Sequence, residues 1–481
     1  MNRQSASLSA VVWILTICVA ANLVYGRSLH FFFSQDDFVF LARAARTATW
    51  KEFIDAVAAV NHFYRPVPRV AMFVLQLRLF GLNAGAFHLI SLGLHTLNAI
   101  LLFLLCQRLF SATLLAGLSG FLYVTHSMPF LAVYWVSGIQ DLCAASFLLI
   151  SLLMYIHSIE TQGYLWLIFS LLAYTLALLS KEISVTFPVL LILIESVRAR
   201  QVKHCLRLGQ LTRKVLGYGI LLGLYLLVRS RKATIFLPTE GPYVWDFAPG
   251  TLLKNFRFYL YDSLYVHSWP IMPQWAAWAT ILVAFAVSIR CSPRYRPVIA
   301  LGVGWFVTAL LPVLFLSQRA YSFYAYFPLI GMSIALGALV SMILGGLPPQ
   351  ARFLSFSIKP TRCAMKSIGI LLFLIGWLSF SVSQVQAVEA RDPAGIISKS
   401  VLAYKAMTEV KALYPDLPMN STLYVVGLTE RDVWAFGHGD LFRLCYPHVN
   451  VVLVSQGEES RIAALNADGD YYVYHFSGEG E

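Results

Sequence analysis

Long apolar segments recur along almost the whole chain, and they restrict its possible folds more than any other feature. A helix needs about 20 apolar residues, with a range of about 17–25, to cross the hydrocarbon core of a bilayer. We predict eleven membrane spans, at about residues 8–26, 86–107, 111–127, 141–157, 164–180, 183–198, 213–229, 275–290, 297–316, 323–345 and 366–387. The pattern therefore predicts an α-helical polytopic membrane protein.

The composition excludes other classes of protein. Apolar residues make up 58% of the 481 residues and charged residues only 12%, with a mean hydropathy of +0.68. A soluble domain is about 45–50% apolar and about 25% charged, so a single soluble enzyme domain cannot bury this much apolar side chain. The same composition excludes disorder. None of the seven cysteines forms a CxxC pair, which excludes a disulfide framework and a cysteine zinc site.

Charge divides the chain into two parts. The first 388 residues contain 29 basic and 11 acidic residues, whereas the remainder contains 7 basic and 13 acidic residues. A basic body suggests anionic lipids or the positive-inside bias, and no basic run is interleaved with aromatic residues, so no nucleic-acid partner is expected. In the tail, STLYVVGL and NVVLVSQ predict strands and SVLAYKAMTEVKALY predicts a helix. We predict a transmembrane module at residues 1–387 and a small extracytoplasmic α/β domain at residues 388–481.

The stretch 66–82 decides which side of the membrane each loop occupies. Arg65, Arg69 and Gln76 lie on one helical face, and an arginine at mid-bilayer costs at least about 2.5–3.5 kcal/mol. An amphipathic helix lying flat in the interface avoids that cost. With the N-terminus inside and residues 8–26 retained as a span, three basic loops are cytoplasmic: residues 198–214, 290–296 and 346–366. The first outer loop, residues 27–85, then lies outside with the tail.

Two adjacent carboxylates, Asp36 and Asp37, follow the first span in the sequence HFFFSQDDFVF. Their proximity among aromatic residues should raise the pKa of one of them. Such a pair can supply a general base or hold a divalent metal, Mg²⁺ or Mn²⁺. The alternative is a structural role, with Asp37 capping the helix that begins at FVFLARAA.

Several basic side chains are predicted on the same outer face. Arg65, in HFYRP after His62, offers a planar fork that suits phosphate, although ordinary lipid headgroups are an equal alternative. Lys181 and Glu182 lie in a short outer loop. Either Lys181 binds phosphate and Glu182 positions it, or the two are solvated charges. Arg319 is a further candidate cation over the site.

Polar residues near or inside the spans add further candidates. Asp141 opens a span, where it either caps the helix or faces the site. His88, His95 and Asn98 share one side of a helix, and polar groups in spans usually face the bundle. We expect a structural hydrogen bond for His95. His126, near the outer end of its span, either forms such a hydrogen bond or belongs to the site. Carboxylates and cations on one membrane face fit a phosphate-bearing lipid whose head reacts there.

Six motifs in order strengthen this interpretation: SQDDF, FYRPVPR, FHLISLGLHTLNAILLF, THSMPFLAVYWVSGIQD, LLSKEISVTFP and R..YSFYAYFPLIG. The series, over about residues 30–330, resembles the GT-C superfamily of membrane glycosyltransferases. It is most similar to the transmembrane O-mannosyltransferases that carry TPR repeats and to their bacterial relatives. The chain departs from them in lacking a TPR array and in having Ile139-Gln140 where relatives often place basic residues.

The resemblance implies a GT-C-like fold and a specific reaction. A monosaccharide would move from a polyprenyl-phosphate donor, dolichyl in eukaryotes and undecaprenyl in bacteria, to an acceptor hydroxyl with inversion. The acceptor would be a protein, a lipid or a glycan. Asp36 or Asp37 would activate the hydroxyl or organise a metal that does so. The implied ligands of the donor phosphate are Arg65, Lys181 and Arg319, and the implied supporting residues are Asp141, Glu182, His62, His88 and His126.

Two other classes of function stay open. A transporter or flippase for a lipid-linked sugar should have inverted repeats and discontinuous helices at the midplane, and the sequence shows no such symmetry. The second alternative is an assembly partner without catalytic activity. The intact Asp36-Asp37 and Ser-Lys-Glu motifs argue against it. We expect a bacterial cytoplasmic membrane with the site on its outer face, the alternative being the endoplasmic reticulum membrane with a lumenal site.

Overall fold

The computed structural model describes residues 3–59, 64–201, 208–230, 243–265, 295–345, 360–458 and 470–477, together with residues 286 and 293. The α-helices in these ranges are α1 Arg3–Tyr25, α2 Asp36–Ala45, α3 Trp50–Ala58, α4 Phe73–Phe80, α5 Ala84–Phe110, α6 Thr113–Thr125, α7 Phe130–Tyr134, α8 Ile139–Thr161, α9 Tyr164–Leu178, α10 Phe187–Gln201, α11 Leu208–Ser230, α12 Pro249–Ser263, α13 Arg296–Leu314, α14 Pro328–Gly345, α15 Pro360–Arg391, α16 Ile396–Leu413, α17 Glu430–Ala435 and α18 Asp440–Cys445. The strands are β1 Thr422–Leu428, β2 Asn450–Ser455 and β3 Tyr471–His475.

Apolar helices dominate, as predicted for a polytopic membrane protein. Within the described ranges, six are long and apolar enough to cross a membrane: Leu8–His30, Ala84–Phe110, Val136–Thr161, Leu211–Ser230, Arg296–Leu314 and Met365–Arg391. Shorter apolar helices lie at Thr113–Thr125, Tyr164–Leu178 and Pro328–Leu344. The predicted span 183–198 corresponds to α10, and the predicted span 275–290 lies almost entirely outside the described residues. The total of eleven spans stays a prediction.

The helices of the bundle approach one another through small residues. A Cβ on Gly302 of α13 would lie 2.6 Å from the carbonyl oxygen of Gly331 in α14. A Cβ on Gly337, further along α14, would lie 2.4 Å from the hydroxyl of Ser119 in α6. Small residues at such crossings let membrane helices pack backbone to backbone. The interior is therefore closely packed at these crossings.

Polar residues inside the bundle bond to neighbouring helices. The Nδ1 of His95 lies 2.9 Å from the hydroxyl of Tyr326, and its Nε2 lies 3.2 Å from the carbonyl oxygen of Val124. Asn98 donates from Nδ2 to the carbonyl oxygen of Leu142 at 3.0 Å. These contacts give His95 the structural role expected from the sequence, because they satisfy polar groups that are fully buried.

The stretch 66–82 forms a π-helical turn at Val67–Met72 followed by α4. This helical segment is shorter than the about 17 residues that a span requires. Gln76 is buried, whereas Arg78 is exposed and donates to the carbonyl oxygen of Thr47 at 2.9 Å. A segment of this length is consistent with the predicted flat helix.

The C-terminal unit, from the turn Pro393–Gly395 to β3, is α/β as predicted. In its described part, β1 pairs in parallel with both neighbours in the order β2-β1-β3. Leu423 and Val425 of β1 belong to the same hydrophobic core as Phe33 and Phe38 of the first loop. The unit therefore shares a core with the segment that carries Asp36 and Asp37. The preceding helix, α15, runs past the predicted boundary at residue 387 and ends at Arg391.

Candidate functional site

A cavity of about 550 Å³ lies between one end of the helical bundle and the C-terminal unit. Its walls come from the first turn of α2, from the start of α8 and from the segments that follow α9, α13 and α15. The charged residues lining it in the described part of the chain are Asp36, Arg65, Arg69, Asp141, Lys181, Arg319 and Lys399. The structure thus brings together five residues predicted as site residues from distant parts of the sequence.

The two adjacent aspartates face different surroundings. Asp36 lines the cavity and is half-buried, whereas Asp37 is only 1% exposed. One carboxylate oxygen of Asp37 accepts from the backbone N–H of Ser137 at 2.7 Å and from its hydroxyl, and the other accepts from the N–H of Ser34 at 3.0 Å. Asp37 therefore fixes the first loop to the start of α8. The N-cap position of α2 belongs to Gln35, so Asp37 does not have the simple capping role of the alternative interpretation.

Burial shifts the acidity of both carboxyl groups. It raises the pKa of Asp37 to about 7, against the lowering effect of its hydrogen bonds to Ser137 and Ser34. Burial also raises the pKa of Asp36, which Arg69 and His438 partly offset. A carboxylate with a raised pKa is a stronger base than an ordinary aspartate. Asp36 combines this property with access to the cavity.

The residue before Asp36 has a strained backbone. Gln35 has φ 56° and ψ −124°, a conformation that residues with a side chain rarely adopt. Its backbone N–H donates to the carbonyl oxygen of Ala435 at 3.3 Å, and its side-chain amide donates to that of Ala394 at 3.0 Å. The C-terminal unit therefore holds Gln35 in place, and with it the direction of Asp36.

A glycine of the C-terminal unit makes this contact possible. Gly437 has φ 56°, and a Cβ there would lie 2.7 Å from the Cβ of Phe38 and 2.8 Å from the carbonyl oxygen of Gln35. A side chain at this position would push the loop and the unit apart. The close packing of these two segments thus depends on glycine.

Arg65 is held by a carboxylate and an amide. Its guanidinium donates from Nη2 to Glu182 at 2.6 Å and from Nη1 to Gln140. Arg229 donates to the other oxygen of Glu182 at 3.1 Å. Burial alone would raise the pKa of Glu182, but Arg65 and Arg229 together lower it to about 2. Gln140, which departs from the pattern of the resembled family, thus helps to orient Arg65.

Lys181 pairs with Asp141. Its ammonium donates to both carboxylate oxygens, and each residue is 6% exposed. The ammonium also lies 5.0 Å from the ring of Phe323 and 5.4 Å from that of Tyr324. This burial contradicts the alternative in which Lys181 is a solvated hairpin charge.

Two further arginines complete the cationic wall. Arg319 donates from Nη1 to the hydroxyl of Tyr243 at 2.8 Å. Arg69 donates to Gln140 at 3.2 Å and lies over the ring of Phe40 at 4.8 Å. Arg69 lies four residues from Arg65 on the same helical face, but this amphipathic pattern alone assigned it no role in the site. Together these cations suit an anionic phosphate.

The three histidines predicted as supporting residues are not shown at the cavity. His88 is fully buried, and His126 has its Nε2 3.2 Å from the carbonyl oxygen of Ser263 and stacks on Tyr265 at 4.3 Å. Neither histidine is among the described residues that line the cavity. His62 lies outside the described residues. Helical spacing for His88, and a position near the outer end of a span for His126, could not tell which neighbouring element each side chain meets.

The surroundings of the carboxylate pair oppose a divalent metal. Both oxygens of Asp37 already accept hydrogen bonds, which leaves the single carboxylate of Asp36 beside several arginines. Magnesium and manganese prefer several oxygen ligands, and neighbouring positive charge opposes them. Within the described ranges, no group of three or more His, Cys, Asp or Glu residues could hold a metal ion.

Comparisons with known proteins agree with this architecture. No protein-family profile matches the chain. The protein O-mannosyl-transferase tmtc2 of Xenopus laevis is 25% identical over 201 residues, which are 41% of this chain but only 22% of that protein. The crystal structure of ArnT from Cupriavidus metallidurans, bound to undecaprenyl phosphate, superposes with a TM-score of 0.50 and 15% identity, covering 96% of this chain and 88% of ArnT. An Archaeoglobus fulgidus oligosaccharyltransferase has a TM-score of 0.47 and 11% identity, covering 93% of this chain and 64% of that enzyme.

Replacement of the buried aspartate should destabilise the protein. In Asp37→Asn, the amide nitrogen must face one of the donors that Asp37 now accepts from, at a cost of about 1–3 kcal/mol. We expect a lower melting temperature for the detergent-solubilised protein. The matched variant, Asp36→Asn, changes a half-buried side chain and should melt like the wild type. Equal melting temperatures for the two variants would contradict the division of roles.

Proposed function

We propose that this chain, which has the GT-C fold that its sequence resembles, is a glycosyltransferase that uses a polyprenyl-phosphate sugar as donor. The observation that carries the proposal is the cavity in which the carboxylate of Asp36 lies with Arg65, Lys181 and Arg319. Transfer from a lipid phosphate needs a base for the acceptor and positive charge for the departing phosphate. The undecaprenyl phosphate bound to the structural neighbour ArnT supports a donor of this chemical class.

Asp36 acts as the general base. It takes the proton of the acceptor hydroxyl as the oxygen attacks the anomeric carbon of the sugar. The bond between that carbon and the phosphate oxygen breaks, and its electron pair leaves with the polyprenyl phosphate. A single displacement of this kind inverts the anomeric configuration. The pKa of Asp36, raised by its burial, makes it a stronger base than an ordinary aspartate.

The cations stabilise the negative charge that develops on the phosphate. Arg65 and Lys181 are fixed by Glu182 and Asp141, so they require little reorganisation when charge appears. Arg319, held by the hydroxyl of Tyr243, adds a third positive charge. These fixed charges supply the electrophilic assistance, and we therefore propose a reaction that needs no metal. Glu182 and Asp141 are positioning residues in this scheme.

We further propose that the cavity opens on the outer face of a bacterial cytoplasmic membrane. Four helices carry basic side chains at the end that lies away from the cavity: Arg108 in α5, Arg198 and Arg200 in α10, Arg213 and Lys214 in α11, and Arg296 in α13. By the positive-inside rule those ends are cytoplasmic. A lumenal site in the endoplasmic reticulum would have the same sidedness.

The sidedness can be measured directly. We expect a reporter inserted after residue 205 to be cytoplasmic and one fused after residue 477 to be extracytoplasmic, because residue 205 falls in the sequence between the basic ends of α10 and α11, whereas residue 477 follows β3 of the C-terminal unit. Compartment-specific alkaline phosphatase and fluorescent-protein fusions report this difference. A cytoplasmic signal at residue 477 would overturn the proposed orientation of the site.

A transfer assay tests the reaction. Purified protein is mixed with radiolabelled polyprenyl-phosphate sugars and a membrane extract as acceptor source, in the presence of EDTA. We expect wild-type transfer to persist in the chelator and Asp36→Asn to lose about 10²–10⁴-fold of it, because the general base is absent. Asp55→Asn, an exposed aspartate of the same loop, is the control and should transfer normally.

The outcomes separate the candidate functions. Normal transfer by Asp36→Asn would exclude Asp36 as the base. Saturable donor binding without transfer would favour the transporter or the non-catalytic partner. Loss of wild-type activity in EDTA, restored by Mg²⁺ or Mn²⁺, would overturn the metal-free mechanism.

Arg69 should control the pH dependence of transfer. Burial raises the pKa of Asp36, and Arg69 is the charge that most lowers it again. The base works only when ionised, so activity falls as the pH drops through this pKa. In Arg69→Gln the pKa rises further, and we expect the acidic limb of the kcat profile to move to higher pH. Arg78→Gln, which changes an arginine outside the cavity lining, is the control, and an unchanged limb in Arg69→Gln would contradict this electrostatic role.

A further inference from the structure

The C-terminal unit supplies one wall of the cavity, opposite the bundle that supplies the others. Trp434 of α17 and Lys399 of α16 line it together with Ile396. Trp434 is 48% exposed, whereas the next residues, Ala435 and Phe436, are fully buried. An aromatic ring of this size left open at a cavity wall marks a surface for a ligand.

The backbone places Trp434 next to Asp36. The N–H of Gln35 donates to the carbonyl oxygen of Ala435, so the residues on either side of this hydrogen bond, Asp36 and Trp434, are close neighbours. The imidazole of His438 contacts the indole of Trp434, with ring centroids 5.0 Å apart. It also lies near enough to Asp36 to lower the pKa of its carboxyl group. A molecule whose hydroxyl is bound at Asp36 therefore has the indole within reach.

The cations for the donor phosphate come from a different side. Arg65, Lys181 and Arg319 belong to the segments between helices of the bundle, and none belongs to the C-terminal unit. The cavity thus has the three donor cations on the membrane module and Trp434 on the C-terminal unit, with Asp36 close to both. This is the arrangement required when a base separates the acceptor from the donor phosphate.

Lys399 adds a polar group beside Trp434 on the wall formed by the C-terminal unit. Its ammonium donates to the carbonyl oxygen of Ala394 at 3.0 Å, and an ammonium has three donors. Asp36 can accept and Lys399 can donate, so together they match the alternating hydroxyls at the edge of a sugar ring. The flat face of the indole matches the C–H groups on the face of such a ring.

We propose that Trp434 and Lys399 form the acceptor subsite, and that the acceptor is a carbohydrate whose pyranose ring stacks on the indole. The inference rests on the proposed glycosyltransferase function and names its acceptor class. A peptide acceptor is the less suited alternative, because extended peptides commonly add to the edge of a sheet. Among the described residues, those of β1, β2 and β3 do not line the cavity.

The test compares acceptor and donor kinetics in the full-length protein. The donor is a radiolabelled undecaprenyl-phosphate sugar, and the acceptors are a panel of alkyl glycosides and a peptide containing Ser and Thr. We expect transfer to glycosides, with Trp434→Ala raising the acceptor KM about tenfold or more while the donor KM stays unchanged. Trp434→Phe retains an aromatic face and should recover most of the affinity. Lys399→Met should raise the acceptor KM as well.

Matched variants control for nonspecific effects. Trp50→Ala removes a tryptophan that is 79% exposed on α3, and Lys411→Met removes an exposed lysine of α16, and neither residue lines the cavity. Both should keep the wild-type acceptor KM. Melting temperatures identify a Trp434 variant that has merely lost its fold, in which case Trp434→Phe and Lys399→Met decide the question.

The possible results are distinct. Transfer to the peptide but to no glycoside would overturn the acceptor class. A raised donor KM with a normal acceptor KM in Trp434→Ala would assign the indole to the donor instead. Normal kinetics in the Trp434 and Lys399 variants would remove the subsite while leaving the glycosyltransferase function intact. Absence of transfer to both acceptor classes by the wild type would overturn the proposed function, and the inference with it.

Discussion

The pairing of buried charges at one end of a membrane bundle is the constraint on which the site depends. A bilayer does not accept an unpaired ionised side chain at low cost, so charged residues collect where a partner and water are available. Lys181 with Asp141 and Arg65 with Glu182 satisfy this requirement, and each pair joins segments far apart in the chain. Removing one member of such a pair leaves a buried charge and costs more than the pair itself contributes. The same contacts that allow these charges to exist also fix them around the cavity.

The adjacent aspartates show how environment gives one residue type two roles. Asp37 has both oxygens occupied by Ser34 and Ser137 and connects the first loop to α8, while Asp36 faces the cavity. Successive residues of a helix point about 100° apart, so one of two neighbours can be enclosed while the other stays accessible. We therefore propose that Asp37 anchors the loop and that Asp36 acts as the base, rather than that the two form a joint ligand set.

Sequence reasoning worked where the signal was local and failed where contacts were long-range. Apolar periodicity and charge bias were sufficient for the membrane class and for gathering Asp36, Arg65, Asp141, Lys181 and Arg319 on one face. His88 and His126 were predicted as supporting residues, His88 from its helical spacing and His126 from its position near the outer end of its span, and neither signal shows which neighbour a side chain meets. Lys399 and Trp434 carried no such signal, since their position depends on how the C-terminal unit docks onto the first loop. The roles of all these residues in catalysis remain predictions.

The strained backbone of Gln35 makes the geometry of the first loop depend on the C-terminal unit. Its unusual conformation persists because Ala435 and Ala394 hold it from the other side, and Gly437 allows the close approach. A chimera that receives only a foreign C-terminal unit would lose this support, and the loop would relax to an ordinary backbone that turns Asp36 elsewhere. To exchange acceptor preference between related chains, the first loop and the C-terminal unit would therefore have to be transferred together.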